Sequence, residues 1–176
     1  TSKDQNNNFP TKKNIMVSSE SFPKKIAEIL NHSKKMFYRY GITKYDSKNN
    51  NISFICSLFT VLDKKFITLD KAEEMSYIKS FLKQVREKVL EKGFKFELNS
   101  KFSNDILIDR IEKINLDDGI LIQLLTQILD INLIIMDFKN DNVNCVFSGD
   151  YLNPWKVNLI LAKNENNWEP LFCDKK

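Results

Sequence analysis

This chain of 176 residues is poor in the residues on which most small-domain chemistry depends. It has one histidine, His32, and three scattered cysteines, Cys56, Cys145 and Cys173. With no C-x-x-C pair and no Cys/His cluster, it has neither a zinc site nor a disulfide framework. Cys56 and Cys145 lie in apolar stretches and are expected to be reduced, buried small hydrophobes, which favours an intracellular setting, in cytoplasm or virion. Four glycines are too few, and too dispersed, for a phosphate-cradling loop. No cofactor is therefore expected. No apolar run approaches the length of a membrane span, so no membrane partner is expected either.

Arginine is also scarce. The net charge is +4, yet only Arg39, Arg86 and Arg110 are arginines. Base readout and bidentate phosphate clamping favour arginine. The lysines come in dispersed pairs such as Lys24-Lys25 and Lys64-Lys65, interleaved with acids, as on a solvated surface. A Lys-rich nucleic-acid-associated domain is thus a third-ranked reading. The abundance of Lys, Asn and Ile is what A/T-rich coding produces, and it reports on the genome more than on function.

What is present is enough for a core: 42% hydrophobic residues, 13 of them Phe. A chain of this length fits one domain that buries roughly 70% of its unfolded surface. Residues 1–18 read as a disordered leader, most clearly the polar, Asn-rich stretch 1–14, and 19–176 as a single domain. The first residue is Thr, so the chain is expected to be part of a larger protein or tagged, and the lack of a signal peptide says little about location.

Ser21-Phe22-Pro23 marks the start of a short helix through about Asn31. Residues 36–42 suit an extended aromatic segment. Residues 52–62 are apolar nearly all round, which predicts a central, buried helix. Leu69-Asp70 opens the clearest helix, ending at Gly93, with Met75, Ile78, Leu82, Val85 and Val89 in one stripe. A further amphipathic helix covers 104–114. Asp117-Asp118-Gly119 caps an apolar helix over 120–129 and is read as a cap, not as a metal or acid/base pair. Strands follow at 132–138, 143–147 and 157–161, with a turn at Asn140-Asp141-Asn142. Asp137 and Asp150 stand too isolated for a role to be assigned or excluded. Helices first and short strands last predict an α+β domain, three-layer α/β-like, with a small central sheet.

Two stretches carry a family resemblance. Asn50-Asn51-Ile52-Ser53-Phe54-Ile55-Cys56-Ser57-Leu58 resembles Asp-Gly-Asn-Cys-Leu-Phe-x-Ser-Leu, which opens the core of the OTU (ovarian-tumour) domains, a class of deubiquitinating cysteine proteases with a papain-like fold. The segment 119–138 resembles that family's helix and strand ending in an acidic-aromatic step. The strand 157–161, followed by Asn167-Trp168-Glu169-Pro170-Leu171, resembles its closing strand and His-Tyr pair. The resemblance spans about residues 40–172 and rests on order, spacing and hydrophobic pattern, with no motif intact. It places Ser53 at the nucleophile, Asn50 at the Asp, Asn167 at the general base and Trp168 at a structural Tyr. A second register puts Ser57 under the Cys; Cys56 falls on the nucleophile in neither. Large DNA viruses carry divergent domains of this kind.

An asparagine cannot take up a proton at neutral pH, and a serine without a base does not attack a carbonyl. Ser53 at a helix start reads first as an ordinary N-cap. His32, in a polar helix end, reads as a C-terminal cap and not as a substitute base. Trp155, in a loop after Asn153-Pro154, is either a partner anchor or, the preferred reading, a residue packed down on the domain. The expectation is therefore a catalytically inactive OTU-like domain, a pseudoenzyme whose partner is another protein, ubiquitin-like or of virus or host. The rival is an active hydrolase using Cys56 or Ser53 with an unrecognised base.

Overall fold

The computed structural model describes residues 22–33, 35–40, 46, 48–91, 101–113, 118–149 and 152–174. The leader, Ser21, Gly93, Ile114, Asp117 and Asp150 lie outside them.

Helix α1 (Lys24–His32) starts behind Pro23, whose φ of −53° suits a helix entry. Its first amides are satisfied from far along the chain: Asp141 Oδ1 accepts from Lys25 N at 3.1 Å and Ile26 N at 3.2 Å. Strand β1 (Met36–Arg39) follows. Helix α2 (Ser53–Leu62) is buried from Ser53 through Thr60, as its all-round apolar pattern requires. Its two inner hydroxyls are neutralised within the helix, Ser57 Oγ donating to Ser53 O at 2.6 Å and Thr60 Oγ1 to Cys56 O at 2.7 Å.

After a 3-10 turn at Phe66–Thr68, helix α3 (Lys71–Leu90) opens with a capping box. Asp70 accepts from Glu73 N while Glu73 accepts from Asp70 N. Its buried stripe, Ile78, Leu82, Val85 and Val89, stabilises by about 1.5–3 kcal/mol for each side chain removed from water. Helix α4 (Asn104–Lys113) and helix α5 (Gly119–Leu129) complete the helical layer. Asp118 caps α5 by accepting from Ile120 N at 2.9 Å. The helix stops at Asp130, which takes the left-handed conformation at φ 54°.

Strands β2 (Ile131–Asp137), β3 (Asn142–Phe147), β4 (Val157–Asn164) and β5 (Asn167–Asp174) join β1 in one five-stranded mixed sheet, in the order β1-β5-β4-β2-β3. Among the described residues only β2 and β4 run parallel. They are central, and β2 is buried on both faces. Alternation along the strands sorts the core in two. Leu133, Ile135, Leu159, Leu161 and Trp168 pack against α2 to α5. Phe37, Met136, Ala162 and Leu171 pack against Ile26 and Leu30 of α1 on the other face. The class is mixed α+β, with helices on both sides of a small sheet.

One core expectation is corrected. Cys56 is buried, but Cys145 is exposed. Its apolar neighbours suggested a core position, yet β3 is the last strand of the sheet and lacks a neighbour on its outer side among the described residues.

Candidate functional site

The β4–β5 hairpin and the N-terminus of α2 meet at one end of the sheet. Glu165 turns the hairpin at φ 54°, and β5 begins at Asn167, opposite Asn164. Trp168 is thereby directed into the helical side of the core, 1% exposed, its ring edge-on to Phe54 at 4.9 Å. Lys163, its cross-strand partner, lies over the indole with Nζ 5.4 Å from the centroid. The indole Nε1 is buried without a hydrogen-bond partner among the described residues.

Ser53 sits directly beneath. Its side chain is fully buried, and its Oγ accepts from Trp168 N at 2.9 Å. The expectation that Ser53 caps its own helix is wrong: the N-cap position is Ile52, Ser53 is the first helical residue, and its hydroxyl oxygen is directed across to β5. The capping is done by Asn51, whose Oδ1 accepts from Ser53 N at 2.9 Å. The same side chain donates from Nδ2 to Asn166 O at 2.8 Å and to Asn167 Oδ1 at 2.9 Å. Asn51 therefore joins helix start to hairpin tip. No motif gave Asn51 a role of its own, although an Asn side chain commonly accepts from the backbone amide two residues on.

The other candidates are placed as follows. Asn50 is exposed and tied to Asp46, donating from its backbone N to Oδ1 at 2.8 Å and from Nδ2 to Oδ2 at 2.9 Å. Burial opposes ionisation of Asp46, but these bonds and one from Lys48 N hold its carboxyl below the usual range. Cys56 and Ser57 are buried inside α2, about one turn past the helix start. His32 is exposed on α1, across the sheet from Ser53. Asp137, 9% exposed, bonds Asn140 at 2.7 Å.

Trp155 is not packed down. It is 93% exposed, since its loop is fastened by neighbours: Asn153 Oδ1 accepts from Trp155 N, and Lys156 reaches Asp130 at 2.6 Å. The strand that follows it, β4, carries the chain from there to the Ser53 junction, a distance of roughly 25 Å for eight extended residues. Trp155 and Ser53 thus belong to opposite ends of the sheet.

The hydrogen bonds of the junction join the Ser53 hydroxyl, the Asn51 and Asn167 side-chain amides and backbone groups of Ser53, Asn166 and Trp168, all neutral at ordinary pH. Two surface concavities, of about 250 and 460 Å³, are lined by other residues: Lys101, Gln123, Gln127 and Cys145 contribute to the first, Tyr77 and Phe81 to the second. Among the described residues no group of His, Cys, Asp and Glu is placed to hold a metal, and no helix is long and apolar enough to cross a membrane.

No protein-family model, curated protein or solved structure matches this chain.

Proposed function

We propose that the chain is a catalytically inactive OTU-like domain serving as a protein-interaction or structural module of a larger protein. The observation that carries this reading is the joining of two segments 115 residues apart. The positions that the resemblance assigns to nucleophile and base, Ser53 and Asn167, are brought to one junction and bridged by Asn51. An unrelated alignment of two short motifs would not be expected to bring both to one place.

The same contacts support the loss of chemistry. A nucleophile must be exposed to its substrate and touch a base; Ser53 is buried, and its oxygen is occupied by the Trp168 amide. The alternative nucleophile, Cys56, is equally inaccessible within α2. What remains is a scaffold whose surface is free to bind another protein, ubiquitin-like or otherwise.

The test is incubation with ubiquitin-based suicide probes and a panel of di-ubiquitins. The protein should remain unlabelled and the chains uncut. Labelling at Cys56, or cleavage lost on Ser53→Ala, would overturn the inactive reading.

A further inference from the structure

Helix α1 is a poor helix on its own sequence. Its nine residues fall short of the roughly 12–15 that an isolated helix needs in water. Lys24 and Lys25 put positive charge where the helix dipole is already positive, and the first turn holds no acidic residue. Pro23, at the N-cap, has no side-chain acceptor to offer. The acceptor comes instead from the β2–β3 turn. Asp141 takes Lys25 N on both carboxylate oxygens at 3.1 Å, and Ile26 N on Oδ1 at 3.2 Å. Helix formation and docking are therefore coupled, because this cap exists only where α1 lies on the sheet.

The core is divided to match. Phe22, Ile26 and Leu30, spaced by four, pack on Phe37, Met136, Ala162 and Leu171, with Phe22 edge-on to Phe138 at 5.3 Å. The larger cluster, on the other face of the sheet, takes nothing from the described residues before Tyr40. Lifting α1 off the sheet leaves that cluster complete. An element with few apolar contacts and a core of its own is of the kind that opens locally, ahead of the whole domain.

We propose that α1 is a lid latched by Asp141, which leaves the sheet and loses its helix as one unit while the rest of the domain stays folded. Open, it bares the apolar strip of Met136, Ala162 and Leu171, a face that the closed domain hides. None of these contacts depends on the likeness to OTU domains.

Native-state hydrogen exchange on the full 176-residue chain reads the opening. The amides of Ala27 to His32 should be protected at least about tenfold less than those of Ile78 to Val89 in α3. Asp141→Ala should speed all of the α1 amides together about fivefold, the worth of one cap, and leave α3 unchanged. A speed-up confined to Lys25 and Ile26 would mean a fraying helix end, and α1 amides as protected as α3 would mean a domain that opens only as a whole. Either result overturns the proposal. Thiol reactivity gives a second readout, in a chain carrying Cys145→Ser and Cys173→Ser. There Cys56, fully buried in the larger cluster, reports that core, and Ala162→Cys, beneath α1, reports the lid. Ellman's reagent should modify the introduced thiol at least about tenfold faster than Cys56, and faster again with Asp141→Ala. Equal rates at the two positions would also overturn the lid.

Discussion

Replacing Ser53 by Ala removes one oxygen and leaves the helix residue otherwise intact. Ala is at least as good a helix former as Ser, so propensity works slightly in its favour. The loss is at Trp168, whose backbone N–H points to Ser53 Oγ at 2.9 Å inside a region without solvent access. An unsatisfied buried donor costs about 1–3 kcal/mol. Asn51→Ala offers a comparison. It removes the acceptor for Ser53 N, an N-cap interaction of about 1 kcal/mol, together with two bonds to exposed Asn166 and Asn167 that water can replace. The expected order is therefore Ser53→Ala at about 2 kcal/mol and Asn51→Ala at about 1 kcal/mol. Urea unfolding followed by circular dichroism reads both, as a shift of midpoint at constant slope. For a chain of this length 2 kcal/mol corresponds to a fall in Tm of roughly 4–8 °C. If Ser53→Ala changed stability by less than about 0.5 kcal/mol, within the range of an ordinary surface substitution, the α2–β5 clasp would not be a structural element at all.

Three further outcomes follow from the same contacts. Trp168→Ala should cost about 3–5 kcal/mol as a large buried side chain is lost, whereas Trp168→Phe should cost much less, because the indole N–H it discards has no partner among the described residues; thermal unfolding of both variants checks the difference. Asp141→Ala removes the cap that α1 receives from the β2–β3 turn and should cost about 1 kcal/mol, seen as faster amide hydrogen exchange in Lys25 and Ile26. Tyr40 and Tyr77 are each pushed up to about 12: burial is the main cause for both, aided by the Glu74 charge at Tyr40 and the Asp63 hydrogen bond at Tyr77. Raised folded values mean that their contribution is complete below pH 10, the unfolded value, and is lost as pH rises toward 12. Absorbance at the phenolate band should show two tyrosines titrating late, with stability declining across that window; ionisation of all five near pH 10 would contradict it.

The elements most legible in the sequence were those with one dominant pattern. The stripe from Ile78 to Val89 and the Asp70 cap predicted α3 because period and capping agreed. The apolar run of α2 predicted burial for the same reason. The errors arose where local chemistry left two geometries open. Ser53 has cap chemistry, but the neighbouring Asn51 reaches the same helix end, which frees the serine hydroxyl to serve β5. Cys145 sits among apolar residues, yet burial on an edge strand is decided by strand order, a non-local property. Trp155 has a large apolar surface that favours packing, but a loop anchored at Asn153 and Lys156 directs it outward. Asp141 as a cap for α1 was not readable at all, since the two lie more than 110 residues apart.

The proposed inactivity makes one last, stricter prediction. If only the two side chains were wrong, the double substitution Ser53→Cys with Asn167→His would restore a dyad and a ubiquitin suicide probe would react. The structure argues that it will not. A helix N-terminus favours a thiolate at position 53, but full burial raises the thiol pKa and closes the approach of any carbonyl. An imidazole at exposed position 167 would have to displace the Asn51 amide before it met the sulfur. Adding Asn51→Gly removes that bridge and should be the first combination to show any labelling, at some cost in stability. Ready labelling of the double variant with Asn51 in place would show that the junction opens in solution and that two side chains alone separate this domain from an enzyme.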